Sequence, residues 1–475
     1  MRQSQKPAHP RPDRMNHRAL APSLLIVAAC SSASVSSPDA SIEADAGTTH
    51  DASVSCPAPT GPGTDHPAGD IRDDQIWRAA DAPHRTLGDI TIRETGSVTI
   101  EPCAEVQLRT DAYLYVYGRL VARGEADRPI VFRPKVDGER FASVFIRTAA
   151  PAEFAYVTIE GGGGLPNSTG GSAVIVEGLA WPPAPGIHVE HVSIRNSAGN
   201  GITLRGWAQF TAASEDLTIT GAGFDRPDHP FPLRVTTNAI AQIPSGDYTG
   251  NARDEIQVGG QDPHSGVELD DAFHDRGVPY YVGGNGAFGV ITVRGDNGVV
   301  ASLTIDPGVT IKFSSPRSGV GGLFIGGTIQ DPLPRGRLLA VGTAAQPIVL
   351  TSTFSAKNPG DWEGVTFFGP NDPQNQLEHL RIEYAGAHGG DNSFGCPPIG
   401  MFDSDGALKI FNPPTASFLN HSTIAHSSSH GVYRAWQGDS ISFIPTNTFE
   451  DIAGCLEVEP KLPQGGCPMN RSCPR

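Results

Sequence analysis

The sequence predicts an all-β chain wound as a coil of stacked parallel strands. Three observations carry this. Glycine (56) and proline (41) are abundant and methionine (4) is scarce, which suits many short strands joined by turns. One long region is written twice, in the same order. Within each copy an apolar-x-Ile unit recurs: Ile159, Ile194 and Ile219 lie 35 and 25 residues apart, and Ile382, Ile424 and Phe449 lie 42 and 25 apart. A base period near 25 with insertions is the mark of a solenoid, whose turns cannot bury their inward faces alone and must stack. Side chains at i and i+2 then fill the interior, and the alternate ones face solvent.

The chain opens with Arg11, Arg14 and Arg18 before the apolar run "ALAPSLLIVAAC", too short for a membrane span and right for a signal-peptide core. The run ends Val27-Ala28-Ala29-Cys30, which resembles the bacterial lipobox. That resemblance implies a signal peptide over 1–29, acylation of Cys30, and outer-membrane or cell-surface sorting through Ser31; stable anchoring needs more than one acyl chain. Met15 is an alternative start. Residues 30–75 read as a disordered tether, since 31–75 lack Leu, Phe, Met, Trp, Tyr and Lys altogether and cannot bury enough apolar surface to order.

From residue 76 short alternating strands follow one another, and no amphipathic helix interrupts them. "VTIEPCAEVQL" (98–108) matches "LTIDPGVTIKF" (303–313), "GRLVARGEADRPIVF" (118–132) matches "GRLLAVGTAAQPIVL" (336–350), and "EHVSIRNSAGNGI" (190–202) matches "NHSTIAHSSSHGV" (420–432). The offset grows from 205 to 230 as insertions accumulate. The segments are therefore a first half over 76–225, connecting coils over 226–290, a second half over 291–458 and a cysteine-bearing tail over 459–475. Asp306-Pro307-Gly308 suits a type II turn whose third residue takes a positive φ; Cys103 stands there in the first copy, at a conformational cost.

The run "LTIDPGVTIKF…GRLLAVGTAAQPIVLTS…DWEGVTFF…LEHLRIEYAG" resembles the right-handed parallel β-helix repeat of bacterial surface proteins, the pectin-lyase-like fold, over roughly residues 90–458. The resemblance implies a right-handed parallel β-helix of two tandem similar halves, with about 15 coils rising about 70 Å. Beyond Cys30, six cysteines remain (Cys56, Cys103, Cys396, Cys455, Cys467 and Cys473), an even number that in an exported chain suggests up to three disulfides. The expected pairs are Cys56–Cys103, pinning the tether over the first coil, with Cys396–Cys455 and Cys467–Cys473 at the far end.

The formal net charge of −16 argues against nucleic acid and anionic lipid as partners, and against polyuronates unless Ca²⁺ or a local basic patch intervenes. Three groups of side chains are candidates for chemistry. His421, His426 and His430 could bind Zn²⁺, but their first-copy counterparts are His191, Asn196 and Asn200, which points to turn roles. The acidic stretch 254–275 could coordinate Ca²⁺ through Asp262, Glu268, Asp270 and Asp271; a solvated acidic loop is the simpler reading, and Asp270 and Asp271, being adjacent on a strand, should point apart. Trp181, Trp207 and Trp436 could stack on sugar rings, against edge packing as the alternative. The pectin-lyase-like resemblance implies carbohydrate work, yet "SSHG" (428–431) lacks the leading Gly of a polygalacturonase-like set and no Arg-x-Lys triplet accompanies it, so no catalytic residue is nominated. The expectation is a lipid-anchored surface protein for recognition, adhesion or structure, binding glycan or matrix through one long face. The alternatives are a polysaccharide lyase or glycoside hydrolase on the same scaffold, marked by acids and Arg/Lys clustered in a groove, and a ligand-free stalk.

Overall fold

The computed structural model describes residues 55–475, except 59–60, 166–170, 180–181, 260–265, 285–288, 316–320, 390–394, 397–404 and the single positions 297, 470 and 472. The signal peptide, Cys30, most of the tether, Trp181 and Asp262 lie outside the described residues.

The chain is a parallel β-solenoid. Its first turn is made of the strands Thr64–His66, Gly69–Ile71 and Asp74–Trp77, and its second of His84–Thr86, Ile90–Ile92 and Ser97–Ile100. Each strand pairs in parallel with the one a turn later, as in Thr64↔His84, Gly69↔Ile90 and Asp74↔Ser97. The stack thus begins at Thr64, inside the stretch assigned to the tether. Apolar poverty was the ground for that assignment. These first strands hold their place by ladder hydrogen bonds and by Ile71 and Trp77, which are buried. Among the described residues, helix is confined to the short turns Ala79–Asp81 and Thr237–Ala239.

One face is continuous from end to end. It carries fourteen strands, from Gly69–Ile71 to Thr448–Ile452, close to the roughly 15 coils expected. We call it the long face. Its inward residues form one register column running from Ile90 through Leu114, Val144, Val174 and Ile202 to Leu233, Ile256 and Tyr280. The column continues through Ile311, Leu350, Ile382 and Ile424 to Phe449. Its members up to Ile424 belong to a single buried cluster. Burying each such side chain is worth about 1.5–3 kcal/mol, and every one is covered by the turns above and below it.

The other two faces differ between the halves. In the first half they share one twelve-stranded sheet, because Ala152–Glu160 and Ala184–Arg195 bend across a corner and pair on both sides of it. In the second half they separate into sheets of seven and five strands. Residues 226–290 continue the long face through Leu233–Val235, Ile256–Val258 and Tyr280–Val282.

The sequence copies do not superimpose on the faces. Glu105–Leu108 belongs to the twelve-stranded sheet, whereas its counterpart Thr310–Phe313 lies on the long face. Ile130–Pro134 and its counterpart Ile348–Ser352 are divided in the same way. The second copy therefore enters the coil one face later. The internal repeat is a repeat of strand and corner, and register along the stack is set by the neighbouring turn rather than by ancestry.

The duplicated turn has the geometry its proline and glycine require. Gly308 has φ +85° and Cys103 has φ +70°; Val309 N–H and Ala104 N–H donate back across the two turns to Asp306 and Glu101 carbonyls. Cys103 is bonded to Cys56. The bond ties the entering chain to the corner between the second and third turns, not over the first. The first turn is closed instead by Trp77, stacked on His66 at 4.3 Å and on His84 at 5.4 Å.

At the other end the expected pairs are exchanged: the bonds are Cys396–Cys467 and Cys455–Cys473. Cys455 is buried beside Phe411, Tyr433 and Val458, and Cys473 packs on the same cluster. Leu456 N–H donates to Pro474 O, so Pro474 lies beside the start of the last strand. Cys467 and Cys473, close in sequence, are bonded to different partners.

Peptide mapping without reduction should yield the three linked pairs Cys56–Cys103, Cys396–Cys467 and Cys455–Cys473; a Cys467–Cys473 peptide would refute this closure. Cys56→Ser should cost about 2–4 kcal/mol in denaturant unfolding. In that background Cys103→Gly should restore about 1 kcal/mol, because the αL strain is relieved and no bridge remains to lose.

Candidate functional site

The histidines diverge. His421 and His426 take φ +50° and +52°, while His430 is fully buried, with Nδ1 accepting from Cys455 N–H at 2.9 Å. The first two belong to a corner pattern. Positive φ recurs at Tyr156, His191, Asp216, His379 and His421, and again five residues later at Gly161, Asn196, Gly221, Tyr384 and His426. Each pair brackets one four-residue strand segment. Eight of these ten positions hold Asn, Asp, His or Gly, the residues that best tolerate this region, and Tyr156 and Tyr384 hold the other two, so the pattern is read by backbone, not by metal. The side chains stack outside the corner: Tyr156 on His191 at 4.5 Å and Tyr384 on His426 at 4.7 Å. The imidazoles in turn meet Asp216 at 2.5 Å and Asp451 at 2.9 Å.

The acidic residues also part. Asp270 accepts from Ser302 N–H on the following turn, and Asp271 accepts from Ala241 N–H on the preceding one. They point opposite ways and cannot close on one cation. Among the described residues no group of three or more His, Cys, Asp or Glu side chains converges as a metal site, so the Ca²⁺ assignment to Glu268, Asp270 and Asp271 is not supported. Asp271 keeps part of its surface open but is closely surrounded by protein, and that desolvation raises its carboxyl to about 6.

Trp436 is a correction. It is buried in the main core, and its Nε1–H donates to Asp439 O at 2.9 Å; it faces no ligand. Trp207 is half-buried at the corner before Ala208–Phe210.

A charged cluster does exist in the second half. Lys409, itself buried, lies 3.2 Å from Glu363 and 3.8 Å from Asp405, and Asp405 holds His388 Nδ1 at 2.6 Å. Burial pushes the Glu363 carboxyl up against the pull of Lys409. The backbone at Gly389 seals this cluster: a Cβ there would sit 2.5 Å from Glu363 Oε2. Among the described residues, Lys409 and Glu363 are thus covered by the Gly389 backbone.

Parts of the long face are open and chemically rich, although its outward column is covered at Ile175, Thr203, Gln257 and Thr351. Its outward positions include Tyr115, Phe145, Arg234, Tyr281 and Lys312, each on a successive or nearby turn. Tyr113, Tyr115 and Tyr117 alternate along one strand and stack at 4.8 and 6.3 Å, with Phe145 edge-on to Tyr115 at 5.8 Å. All are half-exposed. Desolvation raises the Tyr115 hydroxyl to about 12, so that hydroxyl stays neutral. The cation–aromatic contacts among the described residues lie on this face or its borders: Arg205 over Phe145, Arg253 over Phe231 and Tyr281, and Lys357 over Tyr384. Beside the tyrosines opens a recess of about 510 Å³ lined by Tyr117, Arg119 and Arg147 together with Asp74 and Glu94. Arg119 and Arg147 also pair with Glu153 and Glu177, so the patch is aromatic and of mixed charge, and an anionic polymer would compete with these carboxylates for the guanidinium groups. The signal was present in the sequence as "YLYVY" (113–117), whose three Tyr at i, i+2 and i+4 must share one side of a strand.

Comparison with protein-family profiles, curated proteins and solved structures gives no significant match.

Asp271 supplies a pH test. Its carboxyl is raised from 3.8 to about 6, so folding favours the protonated form. The associated stability is fully present below about pH 4 and is lost as pH rises through 6. A shift of about two units corresponds to about 3 kcal/mol, and its partial exposure reduces that to about 1–2. Asp271→Asn, which keeps the acceptor for Ala241 and Ala272 N–H, should therefore stabilise by about that amount at pH 7.5 and by little at pH 4. Equal effects at both pH values would contradict the burial assignment.

Proposed function

We propose that the chain is a lipid-anchored, surface-displayed β-solenoid that recognises an extended acidic glycan along its long face, without cleaving it. The observation that carries this reading is the half-exposed tyrosine row on Phe145, flanked by Arg147 and Arg205, beside an open recess. Aromatic faces suit sugar rings, and guanidinium groups suit carboxylate or sulfate substituents. Tyr115 and Phe145 stand on adjacent turns at the strand spacing of about 4.8 Å, which offers successive stacking positions along one chain. Cys30 supports display, since its acylation would hold the solenoid at the membrane, with residues 31–54 between the anchor and the point where Ser55 and Cys56 join the solenoid.

The soluble body, residues 31–475, should bind uronate-rich or sulfated polysaccharides on a glycan array and ignore neutral glucans. Tyr115→Ala should weaken that binding tenfold or more, about 1.4 kcal/mol, and Arg205→Ala should flatten its salt dependence. Equal retention of neutral glucans would sink the proposal; release of reducing ends or unsaturated products would move the chain to the lyase or hydrolase class. Cys30→Ala should shift the protein from the membrane to the soluble fraction, and unchanged fractionation would remove the anchor.

A further inference from the structure

The first turn of the stack is closed by rings that titrate. Trp77 is only 2 % exposed and lies against both His66 and His84. The two imidazoles also meet directly, His66 Nε2 to His84 Nδ1 at 3.0 Å. His84, itself buried, places its Nε2 2.9 Å from the Arg78 carbonyl oxygen, which can only accept. His84 Nε2 therefore carries a proton, its Nδ1 accepts in the neutral ring, and His66 Nε2–H donates to it.

The pair accommodates one added proton but not two. With one, a charged His84 donates to both the Arg78 carbonyl and His66, whose ring takes its other tautomer. With two, N–H groups oppose each other across the contact and two adjacent cations flank Trp77. The histidine values reflect this. That of His66 is lowered from 6.5 to about 4, by burial first and by the charge of His84 second, and burial lowers His84 as well. The acidic neighbours, Asp65 at His66 and Asp81 and Glu101 at His84, pull the other way. Asp65 is engaged by Arg85 at 2.8 Å and Glu101 by Ala79 N–H, and burial prevails. Because the folded-state values lie below 6.5, the stability of this closure is fully present above about pH 6.5 and is lost as pH falls through about 4.

The surrounding fold lets this turn open by itself. Among the described residues, its strands Thr64–His66, Gly69–Ile71 and Asp74–Trp77 pair on one side only, with the second turn. An end turn with half the ladder contacts of an inner one is the low-stability end of a solenoid. The Cys56–Cys103 bond ties the chain to the corner beyond the second turn, so a released first turn stays attached as a loop. Beneath it stand Ile90, Ile92, Val98 and Ile100, all buried. We propose that the first turn is an acid-sensitive flap: protonation of the His66–His84 pair releases it from the stack as a disulfide-tethered loop and bares the apolar end of the solenoid.

Hydrogen exchange of the intact protein at about pH 7 and about pH 4, corrected for intrinsic rates, tests the inference. Protection of the amides in Thr64–His66, Gly69–Ile71 and Asp74–Trp77 should fall about tenfold or more at the lower pH, while that of the inner strand Tyr113–Val116 holds. Binding of an apolar dye should rise over the same range and reverse on neutralisation. His66→Phe keeps a ring against Trp77 and removes the site of the second proton, and His84→Gln keeps an amide donor for the Arg78 carbonyl without titrating. Each should reduce the acid response of the first turn to that of Tyr113–Val116. Equal loss of protection in the first turn and in Tyr113–Val116 would overturn the flap. An undiminished acid response in both variants would overturn the role of the histidines and pass it to Asp65, Asp81 and Glu101.

Discussion

The structure depends on one constraint: an inward side chain is covered only by the turns directly above and below it. The column from Ile90 to Phe449 is the physical form of that rule. No single turn is stable alone, because its three short strands enclose too little apolar surface. Two consequences follow along the chain. The ends need closure, which Trp77 with its two flanking histidines provides at the first turn and the residues around Cys473 provide at the last. The corners need residues that turn the backbone without widening the stack.

The corners explain much of the sequence that resembles chemistry. Positive φ on both sides of a short strand favours Gly, Asn, Asp and His, with Tyr at two of the positions, and the same position exchanges among these residues from turn to turn. Histidines that cluster in the sequence are therefore backbone devices, and their rings form outward ladders with Tyr and Asp. The rotation of the second copy by one face belongs to the same logic. Strand and corner form a transferable unit, so a copy can be laid onto any face that offers the correct register.

Outward positions are free of the stacking rule, and there recognition can be built. The long face gathers Tyr, Phe, Arg and Lys although the chain as a whole is acidic. On the interrupted face a 3₁₀ turn replaces a strand and leaves a small cavity, whose described lining holds no Lys or Arg. The buried Lys409 cluster belongs to neither, since backbone closes over it.

The sequence by itself determined the solenoid. The apolar-x-Ile period, the glycine and proline content and the doubled Asp/Glu-Pro turn all express local requirements: inward alternation, short strands, and a positive φ that Cys103 and Gly308 both adopt. The Cys56–Cys103 bond was legible because a cysteine in a glycine's place demands a reason. The remaining bonds were not legible, because they depend on the path the final residues take, and sequence proximity of Cys467 and Cys473 says nothing of that path. The start of the stack at Thr64 was hidden by composition, since edge turns need fewer apolar residues than central ones. Trp436 and the tyrosine row show the same limit from the two sides. Alternation tells which residues share a side of a strand, but only the tertiary structure decides whether a loop buries that side or leaves it open. Thus Gln209, Asn238 and Gln242, which no motif connects, meet at one cavity because two successive turns place them on the same face.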